Sequence, residues 1–151
     1  MARFRYRMQN ILDVKEKLES QAKNEFAIAN ARLAEEEEKL ARLRDRQAQY
    51  EERLRELFLE NLDLEEIRRT EDAVENIKER ILIQMDNVKQ ARHNVDLARE
   101  RLTEAMQERK THEKLKDRQF EEFLQEEAAR ESKEIDELVS FRHGQQGGSD
   151  G

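Results

Sequence analysis

Three histidines, His93, His112 and His143, are this sequence's imidazole ligands and bases, and they are too widely spaced to act together. His112-Glu113-Lys114-Leu115 resembles the start of a zinc-protease helix but lacks the second histidine, so no metal site is expected. Cysteine is absent, which removes thiol nucleophiles, thiolate ligands and disulfides. Carboxylates crowd together, as in Glu35-Glu36-Glu37-Glu38, but a solvated helix offers neither desolvation to shift a pKa nor a cleft to hold a substrate. All four glycines fall in the last eight residues, so no glycine-rich phosphate loop exists. The chain is expected to be no enzyme, with no catalytic residue, no metal, no cofactor and no small-molecule substrate.

What remains is recognition of macromolecules. The opening Arg3-Phe4-Arg5-Tyr6-Arg7 mixes cations with aromatics, but three arginines make a small footprint on a chain of net charge −7, so no nucleic-acid partner is expected. Solvated charge flanking Phe4 and Tyr6 is the plainer reading of that segment, and contact with an acidic rim on a protein partner the sharper one. Basic and acidic residues, 29 and 36 of them, interleave along the chain, as on solvated helix faces carrying i,i+4 pairs. The basic start is followed by no apolar signal region, and runs such as Ile81-Leu82-Ile83 are far too short to span a bilayer. A soluble cytoplasmic protein is the expectation.

The elements that must present such surfaces are long helices. Charged residues make up 43% of the chain and apolar ones 36%, too few for a thick core, and there is no proline. Apolar residues recur in steps of three and four from Phe4 through Met8, Ile11, Leu18, Ala22, Phe26, Leu33, Leu43 and Tyr50 to Leu57. Polar Glu36 and Gln47 and basic Lys15 share that seam, and two steps of four between Leu18 and Phe26 predict a stutter. A second ladder runs through Val74, Ile77, Ile81, Val88, Ala91, Val95, Ala98 and Leu102.

The two ladders pair about Leu62. Leu57 with Ile67, Tyr50 with Val74, Leu43 with Ile81, Leu33 with Ala91, Phe26 with Ala98 and Ala22 with Leu102 each have numbers summing to 124, the register of an antiparallel hairpin. Large residues face small ones, which fills a seam without voids. At the turn Asp63 would cap the second helix, with Glu66 completing a capping box and Leu62 stapled to Ile67. The fold class expected is all-α: a long two-helix antiparallel coiled-coil hairpin with a C-terminal helical overhang. Its boundaries are a helix over 3–60, a turn at 61–63, a helix over 64–142 and a disordered tail at 143–151, the hairpin being one body over 1–142.

At 1.5 Å per residue the first helix is roughly 87 Å long and the second roughly 117 Å, so about 20 residues overshoot. Phe123, Leu124, Ala128, Ile135, Leu138, Val139 and Phe141 nonetheless continue an apolar stripe there. The paired termini are therefore expected to be the main binding end, and the hairpin tip, read as polar, is not.

Three stretches carry a family resemblance: Phe4-Arg5-Tyr6-Arg7-Met8-Gln9-Asn10-Ile11-Leu12-Asp13-Val14-Lys15-Glu16, Glu113-Lys114-Leu115-Lys116-Asp117-Arg118-Gln119 and Lys133-Glu134-Ile135-Asp136-Glu137-Leu138. In order and spacing they resemble the flagellar type III export protein FliJ family. The resemblance implies a two-helix stalk similar to the rotor stalk of rotary ATP synthases. Its implied partners are the hexameric flagellar export ATPase, the membrane export-gate protein and export chaperones. Carried onto this chain, the ATPase end would comprise Phe4, Tyr6, Met8, Ile11, Phe123, Leu124, Ile135, Asp136, Glu137 and Leu138. The gate surface would comprise Leu43, Gln47 and Tyr50, which compete with their own place in the seam. The resemblance further implies peripheral association with the cytoplasmic face of the membrane at the flagellar base. The rival reading is a coiled-coil adaptor or scaffold with no ATPase partner, in the form of a parallel homodimer.

Overall fold

The computed structural model describes residues 2–60 and 62–149, with side chains through Gln145. Two long helices, α1 (Gln9–Leu59) and α2 (Leu64–Ser149), pack against each other as an all-α hairpin, and no strand occurs among the described residues. Contacts group the molecule into two compact units, Glu19–Glu104 and Met1–Leu18 with Ala105–Gly151.

In the Glu19–Glu104 unit the seam is a strict heptad. Along α1 the covered positions are 19, 22, 26, 29, 33, 36, 40, 43, 47, 50, 54 and 57; along α2 they run from 67 through 70, 74, 77, 81, 84, 88, 91 and 95 to 98. Two helices cover each other on one face only, so no large side chain is fully enclosed, and Leu57, Val74, Ile77 and Val95 are among the best buried. The predicted pairs about 62 are all buried or half-buried.

The stutter is absent. Glu19, not Leu18, occupies the inward position, and Leu18 is 43% exposed. The step from Lys15 to Glu19 to Ala22 keeps the 4–3 alternation that a 3.5-residue repeat demands, and holding that phase outweighs burying one leucine. The Glu19 carboxylate lies 3.1 Å from Lys23 Nζ, one turn along α1.

One polar layer crosses this unit. Gln84 Nε2 donates to both the backbone carbonyl and the carboxylate of Glu36, while Asn87 Nδ2 donates to Gln84 Oε1. Arg32 at 3.1 Å and Lys39 at 3.5 Å approach the other carboxylate oxygen. The Gln84 hydrogen bond, helped by those two cations, holds the Glu36 carboxyl below its ordinary value of 4.5 against the opposing effect of burial.

The turn follows the sequence in part. Asp63 Oδ1 accepts from the Glu65 and Glu66 amides at 3.1 and 3.3 Å, satisfying two donors that the first turn of α2 would otherwise leave open. The Glu66 carboxylate does not close the capping box; it takes Arg53 from α1 at 2.8 Å, because an ion pair across the helices is within its reach. Leu62 is 70% exposed and staples nothing. Asn61, part of the expected turn, lies outside the described residues.

Both outer boundaries move. Residues 2–6 are not helical, and α1 begins at Gln9, whose amide bonds to the Tyr6 carbonyl at 3.2 Å. Three arginines at a helix N-terminus would oppose its dipole. Their alternation with Phe4, Tyr6 and Met8 instead suits an extended segment that turns the apolar side chains inward and the arginines outward. At the other end α2 runs to Ser149, through most of the stretch read as a disordered tail. Gly144 costs an exposed helix about 1 kcal/mol but does not forbid it; Asp150 and Gly151 lie outside the described residues.

Candidate functional site

The Met1–Leu18 and Ala105–Gly151 unit is built differently. Its covered α2 positions include Arg109, His112, Lys116 and Gln119, none better than half-buried. Lys15 Nζ meets Glu108 Oε2 at 2.8 Å, which lowers the Glu108 pKa, and Arg109 meets Glu113 at 2.7 Å. The non-helical N-terminal segment is clamped by its aromatics. The Phe4 ring lies edge-on to Phe120 at 5.1 Å and tilted to Phe123 at 5.5 Å. Phe4 and Phe120 again sum to 124, the register read from the sequence. Tyr6 and Leu12 are buried, and the Tyr6 hydroxyl and His112 Nδ1 are buried without a hydrogen-bond partner.

Under this strap lies a cleft of about 710 Å³ lined by Phe4, Arg5, Tyr6, Arg7, Gln9, Asn10 and Lys116. Its charged lining is wholly basic. No group of three or more potential metal ligands occurs among the described residues.

From residue 128 through 145 every side chain is exposed. Ile135, Leu138, Val139 and Phe141 are each about 60% exposed, and Leu124 is half so. Spacings of three and four place Ile135, Leu138 and Val139 on one helical face. Asp136 and Glu137 flank them in solvent.

The ten side chains expected at the ATPase end therefore fall into two sets. Phe4, Tyr6, Met8 and Phe123 are turned inward to differing degrees and close the end of the unit; Ile11, Leu124, Ile135, Asp136, Glu137 and Leu138 are exposed. Leu43, Gln47 and Tyr50 are all half-buried positions of the α1 seam, with Gln47 Nε2 donating to Glu51 at 3.1 Å. Leu43 also lines a groove with Lys39, Arg42, Arg46 and Gln84, so part of it faces outward among cations.

Exposed apolar side chains outside these sets went unread in the sequence. Leu82 and Ile83 lie off the seam beside Ile81, and the turn carries Phe58, Leu59, Leu62 and Leu64, all more than half exposed. The tip is thus not polar. The heptad phase held the signal: once Leu57 and Ile67 are inward, none of these four positions is in phase with them.

Fold and surfaces together define an all-α helical-hairpin protein with exposed apolar side chains. Over residues 4–148 the sequence matches the flagellar FliJ protein family, and the chain belongs to that family. It is accordingly a component of flagellar protein export. Among solved structures, CT670 of Chlamydia trachomatis, a protein described as YscO-like, shares the fold at a TM-score of 0.66 and 23% identity, over 93% of this chain and 96% of that one. Among curated proteins none matches. No helix among the described residues is long and apolar enough to cross a membrane.

Proposed function

We propose that the chain acts as a non-catalytic stalk that docks in the hexameric flagellar export ATPase, couples it to the membrane export gate and helps to recycle export chaperones. The observation that carries this reading is the exposed face of Ile135, Leu138, Val139 and Phe141 on a helical stretch with no covered side chain. Burying three or four such side chains on a partner contributes very roughly 5–10 kcal/mol before ordering costs, enough for a specific complex. The Phe4, Phe120 and Phe123 cluster holds the basic Arg3, Arg5 and Arg7 beside that end, where they would meet an acidic rim. Contact of one stalk with six subunits would favour some subunit states over others and so bias hydrolysis. The gate would engage the outward part of Leu43, Gln47 and Tyr50, at the cytoplasmic face of the membrane.

The test is stimulation of the cognate export ATPase by Ile135→Ala/Leu138→Ala. Both side chains are solvent-exposed, so helicity by circular dichroism is expected to stay unchanged while stimulation falls about tenfold or more. Undiminished stimulation would remove this face from the interface.

A further inference from the structure

The cleft at the start of α1 gathers cations that the chain leaves unneutralised. Arg5 and Arg7 are exposed and Lys116 is half-buried, and among the described residues none of the three has an ion-pair or hydrogen-bond partner. By contrast Lys15 takes Glu108 and Arg109 takes Glu113. Nearby carboxylates do not cancel this charge. Over residues 2–13, and one helical turn either side of Lys116 on α2, six cations stand against Asp13, Glu113 and Asp117. Asp13 accepts from Gln9 Nε2 at 2.8 Å, Glu113 is held by Arg109 at 2.7 Å, and Asp117 is exposed between Lys116 and Arg118. None of the three lines the cleft. The helix adds to the positive field, because Gln9 and Asn10 at its N-terminus line the cleft and its first turn carries no acidic residue.

Volume and backbone then select among anions. At about 30 Å³ for each water-sized group, a single tetrahedral oxyanion would fill roughly a fifth of the cleft, whose volume is about 710 Å³. A longer ligand fits better, and the strap offers it main-chain partners. Residues 2–6 belong to no helix, and among the described residues the amides of Phe4, Arg5 and Tyr6 donate to no other group. An extended peptide pairs along such an open segment, with alternate side chains setting its specificity. Arg5 and Arg7 flank the buried Tyr6, as alternate residues on one side of an extended chain do. Carboxylates two residues apart on an extended peptide, roughly 7 Å from one another, match that spacing. Nucleic acid and lipid present phosphates but no peptide backbone to complete the strap. We infer that this cleft receives an extended acidic segment of a partner protein, with carboxylates at alternate positions on Arg5 and Arg7 and a further one on Lys116. Such a segment would supply the acidic rim invoked in the proposed function, and to that extent rests on it.

The test titrates the full-length protein into fluorescein-labelled peptides and follows their anisotropy. One peptide alternates Glu with Thr, a second alternates Gln with Thr, and a third has the composition of the first with its glutamates contiguous. Expected is saturable binding of the alternating Glu peptide, about tenfold or more tighter than that of either other peptide. Arg5→Glu/Arg7→Glu should weaken it about tenfold or more and Arg5→Gln/Arg7→Gln by less, since the first turns attraction into repulsion and the second only removes it. Arg80→Glu, which changes an exposed cation of the other unit, should leave the affinity within about twofold. Circular dichroism checks that the variants keep their helices. Equal binding of the contiguous isomer, displacement by inorganic phosphate at the peptide's own concentration, or an equal loss from Arg80→Glu would overturn the inference. So would the absence of saturable binding. The ATPase takes no part in this titration, so its failure leaves stimulation through Ile135 and Leu138 standing, and loss of that stimulation does not alter the peptide's affinity.

Discussion

The Glu19–Glu104 unit and the unit formed by the two chain ends use the same heptad for opposite purposes. In the first, the inward positions of α2 from Ile67 to Ala98 are all buried and, apart from Thr70 and Gln84, apolar. In the second, apolar Tyr6, Leu12, Ala105, Met106, Leu115 and Phe123 share the covered positions with polar Lys15, Arg109, His112, Lys116 and Gln119, while Ile11, Phe120 and Leu124 stand at 42–50% exposure. A seam that gives many of its covered places to polar side chains gains less from closing and leaves apolar area in solvent. The difference teaches that covered and exposed apolar area are divided along one repeat by phase, with no change of fold.

The comparison breaks first at the seam. Ile77→Ala is expected to cost about 2–4 kcal/mol in urea unfolding, because Ile77 is 4% exposed and the helices cannot close over the gap. An equally large loss from Leu138→Ala would show that the end of α2 is packed and the distinction false; less than about 0.5 kcal/mol is expected there. Intermediate is Phe4→Ala, which removes two ring contacts at a half-buried site and should cost about 1–2 kcal/mol. Faster tryptic cleavage at Arg5 and Arg7 would register the loosened strap.

The smallest effect is one of pH. Glu36 has its carboxyl depressed in the folded state, so its stabilisation is present above the ordinary value of 4.5 and is lost as pH falls through the lower folded value. Gln84→Leu removes the main cause of that depression. The fall in urea midpoint from about pH 5 to about pH 3 should therefore be shallower in the variant than in the parent. Parallel curves would mean that Arg32 and Lys39 alone set the carboxylate.

Much of the architecture was legible because helical periodicity is a local property. The absence of proline, the confinement of glycine to the last residues and the two ladders predicted two helices folded about residue 62, and Phe4 against Phe120 keeps that register. The N-terminal strap was misread as helix although its alternating Arg3-Phe4-Arg5-Tyr6-Arg7 has period two, since a pattern this short is outweighed by the longer repeat that follows it.

Other features were decided by the partner helix. Whether Leu18 or Glu19 turns inward depends on the phase that the facing helix imposes, which the residues of one strand of sequence do not contain. The choice by Glu66 of Arg53 over its own N-cap depends on a neighbour 13 positions away being brought within reach by the turn. Phe58, Leu59, Leu62 and Leu64 are apolar in any reading; that they are left in solvent follows only from Leu57 and Ile67 having closed the seam beneath them. Sequence alone determined the helices, the reversal and the register, because these rest on contacts repeated many times. Tertiary structure decided which side chains were left over, because exposure is set by what the opposite helix covers.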